Sequence, residues 1–188
     1  MPESYSQKSS LIFLVGFMGS GKSTLGPILA NTLGYDSYDI DKLIEKKAHK
    51  KIVDIFREDG EPAFRTLERE TLQEAASFKR SIVSLGGGTI TNEENFQIAR
   101  THGVLLYLKL SPEEIVQRVQ HRNDRPMLRD EHGNQLKGGA LRQRVGELLA
   151  AREPFYARAD IILSADNMRI GVTVDEIAKQ LRGLSGKE

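Results

Sequence analysis

The sequence contains no cysteine, which excludes disulfides and thiolate-ligated metals and is compatible with a reducing compartment. No apolar run reaches the roughly 20 residues of a membrane span. The opening stretch, Met1 to Ser10, is polar, carries one lysine and lacks the apolar core of a secretory signal. It is expected to form a flexible tail, and a cytoplasmic location is the default expectation. An excess of one charge is missing too. The 27 basic and 26 acidic residues leave a net charge of +1, which gives no electrostatic reason to expect a nucleic-acid partner. What remains is an ordinary globular composition, 39% hydrophobic and 28% charged over 188 residues. That suits one domain with an apolar core, expected over residues 11–188. No internal repeat, low-complexity tract or second domain is visible.

Against this plain background one stretch carries chemistry. Gly16-Phe17-Met18-Gly19-Ser20-Gly21-Lys22-Ser23 fits G-x-x-x-x-G-K-[ST], the phosphate-binding P-loop. Leu11 to Val15 before it is a short apolar run that reads as a buried strand. After it, Leu25, Ile28, Leu29 and Leu33 fall on one helical face, with Gly34 as the stop. Strand, glycine loop and helix start make an anion cradle of backbone N–H groups. Lys22 would reach the β- and γ-phosphates of a nucleotide, and Ser23 would hold Mg²⁺. Pro27 falls inside this helix, where it leaves the Ser23 carbonyl without its helical partner; a slight kink is expected.

Apolar runs and helical patterns alternate along the whole chain. Strands are expected at Leu11–Val15, Ser37–Asp39, Ser81–Leu85, Val104–Leu108 and Asp160–Leu163. Helices are expected at Lys22–Leu33, Lys42–Ala48, Ile52–Arg57, Glu61–Ser77, Glu93–Arg100, Pro112–Arg122, Leu141–Arg158 and Val174–Leu181. Capping boxes are expected at Thr91 with Glu94, Ser111 with Glu114 and Thr173 with Glu176. The alternation predicts an α/β fold, a parallel sheet with helices on both faces and ligands beyond the strand ends. Asn123 to Gly139 breaks the rhythm. It is polar, glycine-bearing and long for a connection, which beside a P-loop predicts a lid.

Several other residue groups are candidates for the site. Asp39 and Asp41 end the second strand, and strand alternation would point both carboxylates one way. One would organise Mg²⁺ and its waters and the other would take a proton or bind substrate hydroxyls; either could instead cap the following helix. Arg65 and Glu68 stand three apart on a helix and can pair, with a surface ion pair as the alternative. Gly86-Gly87-Gly88 follows the third strand and either lets a ligand lie on the backbone or makes a turn. Arg152 is a binding residue or a plain helix-surface residue.

Taken together and in order, the P-loop, Asp39-x-Asp41, Phe64-Arg65-x-x-Glu68, the triple glycine, Arg125-Pro126-Met127-Leu128 and Arg152-x-Pro154-x-Tyr156 resemble the shikimate kinases, from Leu11 to Leu181. Met127 stands where leucine is commoner, a volume-conserving change. The resemblance implies a three-layer α/β/α P-loop kinase with a five-stranded parallel sheet, a lid and a substrate-binding region. It implies transfer of a phosphoryl group from ATP to the 3-hydroxyl of shikimate, with Mg²⁺. Gly19, Ser20, Gly21, Lys22, Ser23 and Thr24 would bind ATP, and Ser23 and Asp39 would hold the metal. Asp41 would bind the acceptor hydroxyls and act as base. Arg65 and Arg152 would clamp the carboxylate, with Glu68 holding Arg65. Gly86, Gly87 and Gly88 would line the pocket. Arg125 would swing onto the phosphates, and Arg122 would contact adenine. The expected partners are small molecules only, and the expected state is a monomer. Two rivals remain: a gluconate or nucleoside monophosphate kinase of the same fold, and a nucleotide-switched binding protein. An acidic pair, two separate arginines and a lid make an acceptor site that a switch does not need.

Overall fold

A computed structural model describes residues 10–120, 126–130, 132–166 and 170–185. Five strands, β1 (Leu11–Val15), β2 (Asp36–Asp39), β3 (Ser81–Ser84), β4 (Val104–Lys109) and β5 (Ile161–Ser164), form one parallel sheet in the order β2-β3-β1-β4-β5. Every residue of β1 is buried, because the central strand of a sheet covered on both faces has no polar side to show. Its alternation is spatial instead. Leu11, Phe13 and Val15 join one apolar cluster, and Ile12 and Leu14 join the other.

Helix α1 (Lys22–Leu33) covers the second face with Leu25, Leu29 and Ala30. It is joined there by α8 (Ile170–Ser185), through Val174, Ile177 and Leu181. The first face carries α2 (Ile40–Ala48), α3 (Ile52–Glu58), α4 (Gly60–Ala75), α5 (Glu93–His102), α6 (Pro112–Val119) and α7 (Gly138–Tyr156). This is the expected three-layer α/β/α arrangement. Burying two faces of one sheet fixes the strands as a rigid shelf from which loops can aim side chains.

The element boundaries fall within a few residues of those expected, and the differences are informative. Helix α1 runs through Pro27 and stops at Gly34, which adopts φ 67° and ψ 39°. Helix α8 begins at Ile170, so Thr173 lies inside it and not at its start. The cap of α5 is Asn92, whose side chain accepts the Asn95 N–H, and Thr91 instead donates to the Gly88 carbonyl at 2.7 Å. Asparagine caps at least as well as threonine, and it sits one residue closer to the helix. Ser111 does cap α6, but its box is half made. The Glu114 carboxylate accepts from Arg118, and the Ser111 N–H is taken by Asp166.

The tail expectation for residues 1–10 lies outside the described residues except at Ser10, whose carbonyl accepts the Ser81 N–H. The expected lid is described from residue 126, apart from 131. A short 3-10 turn at Pro126–Leu128 leads into a tight hairpin, closed by the Leu136 N–H on the Leu128 carbonyl. Leu128 is buried in the first-face cluster, with Leu136 packed against that cluster. This half of the segment is therefore anchored to the body.

Candidate active site

The site lies where three neighbouring strands end. In the sheet order β2, β3 and β1 are adjacent, and each carries chemistry just past its carboxyl end. Strand β1 runs into the P-loop, β3 into the triple glycine and β2 into the acidic pair. This is where ligands bind in open parallel sheets, at the point where strand order reverses.

The P-loop turns on glycines in the left-handed region, with Gly19 at φ 81° and Gly21 at φ 95°. Gly21 is the N-cap of α1 and offers no side chain there, so a ligand anion can approach the helix start directly. The Lys22 ammonium is folded over the loop. It donates to the Gly16 carbonyl at 2.7 Å, the Phe17 carbonyl at 3.1 Å and the Ser20 hydroxyl at 3.4 Å. The Ser23 hydroxyl donates to Asp39 Oδ2 at 3.3 Å. A cleft of about 150 Å³ is lined by the loop residues Gly19, Gly21, Lys22, Ser23 and Thr24, by Asp39 and Asp41, and by Gly86 and Gly87. Ser20 faces the neighbouring cavity of about 330 Å³, beside Leu108, Arg118 and Thr173.

The acidic pair is real but its geometry differs from the sequence expectation. Strand alternation does not align the two carboxylates, because the strand ends at Asp39 and Asp41 lies in the first turn of α2. Asp39 has extended backbone and its Oδ1 accepts the N–H of Asp41 at 3.0 Å and of Lys42 at 3.4 Å. It is thus the cap, while its other oxygen meets Ser23. Both aspartates reach the nucleotide-side cleft, and Asp41 also lines a second cleft.

That second cleft, also about 150 Å³, has a charged end and an apolar wall. Arg65, Arg152, Asp41 and Glu68 provide the first, and Ile52, Phe56, Phe64 and Met127 the second. Arg65 joins an exposed carboxylate to a buried one. Its Nη1 donates at 2.8 Å to Glu68, a carboxylate only 2% exposed, and Nε and Nη2 reach Glu61 at 3.1 and 2.9 Å. Burial works to lower the Arg65 pKa, but the Glu68 and Glu61 carboxylates outweigh it and hold the pKa above its ordinary value. The remaining Glu68 oxygen accepts from Thr89 at 2.7 Å. Arg152 is 9% exposed, and its guanidinium lies over the Phe17 ring, 5.3 Å from the centroid.

The triple glycine fits between these groups for lack of a Cβ, one residue to each neighbour. A Cβ on Gly86 would lie 3.0 Å from Asp41 Oδ1, on Gly87 3.2 Å from Arg152 Nη1, and on Gly88 3.2 Å from Arg65 Nη1. The glycines thus form a shelf under an acid and two guanidiniums. The structure brings together Gly19, Gly21, Lys22, Ser23, Thr24, Asp39, Asp41, Arg65, Gly86, Gly87, Gly88 and Arg152 around two adjoining clefts that share Met18, Asp41, Gly86 and Gly87. Arg125 and Arg122 lie outside the described residues. Sequence reasoning missed Glu61, Thr89 and Arg118. Arg118 donates to the Gly19 carbonyl at 3.4 Å and to Glu114 at 2.8 Å at the mouth of the third cavity. Only its spacing of four from Glu114 was visible in the sequence.

A phosphate cradle beside a separate pocket with two carboxylates and two guanidiniums defines a P-loop kinase acting on a small acidic acceptor. Comparison with known proteins narrows the class. The shikimate kinase family model matches residues 18–182. A shikimate kinase of Chlorobaculum tepidum is 49% identical over 172 residues, 92% of this chain and 90% of the relative. A solved shikimate kinase from Acinetobacter baumannii, in complex with shikimate, superimposes with a TM-score of 0.84 at 32% identity, over 96% of each chain. A gluconokinase from Sinorhizobium meliloti, at 17% identity and a TM-score of 0.57 over 95% of this chain and 94% of its own, shares the fold alone. The chain belongs to the shikimate kinase family.

Proposed function

We propose that the chain transfers the γ-phosphoryl group of ATP to the 3-hydroxyl of shikimate, with the labour divided as follows. The P-loop N–H groups and the α1 N-terminus hold the phosphates, and Lys22 exchanges its loop carbonyls for phosphate oxygens. Arg118 lies where the base or ribose would enter, and Arg125 is assigned to the phosphates from the lid side. Arg65 and Arg152 hold the acceptor carboxylate as planar forks. Asp41 receives the acceptor hydroxyl and takes its proton. Phosphoryl transfer asks mainly for positioning and charge neutralisation, which is what these groups supply.

Mg²⁺ fits the donors present. Among the described residues there is no group of three His, Asp or Glu side chains that would cage a metal. Ser23 and Asp39 stand together at the cleft, the small protein contribution that suits an ion held chiefly by phosphates and water. When bound, it would neutralise phosphate charge. The reading extends to a cytoplasmic monomer acting on small molecules. The observation that carries the reading is the pairing of Arg65 and Arg152 across the glycine shelf from Asp41, in a cleft that opens onto the P-loop. The test is a coupled assay of ADP release with ATP and Mg²⁺. Release that depends on shikimate and not on gluconate or a nucleoside monophosphate is expected. Release without any acceptor would point to a nucleotide switch.

A further inference from the structure

Tyr156 has no role in the scheme above, yet it is bonded to one of its parts. It is fully buried, one helical turn after Arg152 on α7, so both side chains leave the helix on one face. Its hydroxyl donates to the Gly87 carbonyl, 69 residues away in sequence. Gly87 is also the shelf residue whose missing Cβ makes room for Arg152 Nη1, and that same point lies 3.5 Å from the Met18 nitrogen of the P-loop. The positive charge of Arg152 bears on the same phenol. Burial pushes the Tyr156 pKa up to about 12, with Arg152 acting against it, so the phenol stays protonated and remains a donor to the carbonyl. The same stretch of α7 is pinned from behind. Glu153 accepts from Tyr107 at 2.6 Å and from Lys109 at 2.8 Å, both on β4, and the Tyr107 and Tyr156 rings lie 5.0 Å apart.

We propose that Tyr156 is a positioning residue for the acceptor, its hydroxyl fixing the Gly87 peptide against which the Arg152 guanidinium packs. The proposal rests on the acceptor site assigned above. Without that bond the Gly87 carbonyl has lost its buried donor, the shelf relaxes, and Arg152 no longer meets the acceptor carboxylate at a set distance. The nucleotide phosphates, held by the loop N–H groups and Lys22, are not addressed by this bond.

The experiment compares Tyr156→Phe with Tyr107→Phe. Each variant loses one buried hydroxyl and keeps its ring, so a general loss of packing affects both. For Tyr156→Phe the KM for shikimate should rise about tenfold, the scale of one buried hydrogen bond, with the KM for ATP and the saturated turnover near wild type. For Tyr107→Phe both KM values should hold. An unchanged shikimate KM in folded Tyr156→Phe, or an equal rise in Tyr107→Phe, would overturn the proposal. So would a rise as large with 3-fluorotyrosine at position 156, which keeps the hydroxyl and serves as the control, with wild-type KM expected. Wild-type protein that releases no ADP in response to shikimate would instead overturn the functional reading on which the proposal stands.

Discussion

Asp39 caps the helix that carries Asp41, accepting its backbone N–H at 3.0 Å. Asp39 therefore carries an architectural role that Asp41 does not share. Asp39→Ala should lower stability by about 1 kcal/mol, the usual cost of a lost N-cap, while Asp39→Asn should restore it. Asp41→Asn removes no cap. Its thermal midpoint and nucleotide affinity should match wild type, while turnover falls by roughly 10²–10⁴, the span of a general base, with the low end favoured by a loose transition state. Turnover, midpoint and nucleotide affinity measured on one preparation decide it. Normal turnover in Asp41→Asn would remove Asp41 from the mechanism.

Arg65 and Arg152 should separate the two substrates. Arg65→Ala or Arg152→Ala should weaken shikimate binding by about 2–5 kcal/mol, much of it from an unpaired buried charge, and leave ATP binding nearly unchanged. Glu68→Gln should do the same to a smaller degree. It keeps an acceptor for Thr89 but loses the charge that aims Arg65, which still has Glu61. Calorimetry with each ligand alone gives the answer. Equal losses for both ligands would count against a carboxylate clamp.

The P-loop was legible because its signal is local: the glycines, Lys22 and the flanking strand and helix lie within one short stretch. The sheet was legible because β1 and most of β4 are buried and read as apolar runs, while β3, buried throughout, shows only Ile82 and Val83 between two serines. Strand β2, Asp36–Asp39, has no such run. Its edge position leaves it only partly buried, so its end was placed correctly but its geometry was not. The alternation argument failed at Asp41 because Asp39 stops the strand by capping. Thr91 and Thr173 failed as caps for a related reason: the motif is common, and whether a helix starts there depends on its neighbours. Arg118 was not singled out in the sequence, and Tyr156 entered only within the Arg152-x-Pro154-x-Tyr156 motif, without a role. Each donates to a backbone carbonyl far away in sequence, Gly19 and Gly87, and no local pattern encodes such a contact.

Away from the site, acid should loosen one latch between helices. Arg158 on the turn after α7 donates to both oxygens of Glu93 on α5, at 2.7 and 2.8 Å. That hydrogen bonding lowers the Glu93 pKa from 4.5 to about 2. A folded-state pKa below the unfolded one stabilises above the unfolded value, and the gain is lost as pH falls through the folded one. The stability difference between wild type and Glu93→Gln should therefore be constant above pH 4.5, shrink from there to about 2, and vanish below. Denaturant melts across that range, in low salt, test it. A difference that stays flat to the bottom of the range would mean that the pair adds nothing beyond packing. Both groups are on the surface, so the effect should be small and should fall with added salt.

The glycine shelf makes the most detailed prediction, because each residue faces a different partner. None of Gly86, Gly87 and Gly88 has a positive φ, so alanine brings no backbone strain there, only crowding. At Gly88 the new methyl would meet Arg65 Nη1 at 3.2 Å, and the tip of a flexible side chain can yield by a few tenths of an ångström. The KM for shikimate should rise and turnover should hold. At Gly87 the methyl meets Arg152 Nη1 at 3.2 Å and lies 3.5 Å from the Met18 nitrogen. Arg152 is buried and has less room to move, so the rise in acceptor KM should be larger and some weakening of nucleotide binding should accompany it. At Gly86 the methyl meets Asp41 Oδ1 and Thr89 Oγ1, both at 3.0 Å, the tightest fit of the three. Displacing the proposed base should lower turnover itself, by roughly tenfold, since misplacement of about 1 Å can cost 10². Steady-state kinetics on the three alanine variants, varying each substrate in turn, give the pattern. Three variants with the same losses in KM and turnover would mean that the loop fails as a unit. Wild-type kinetics in all three would mean that no acceptor rests on this shelf.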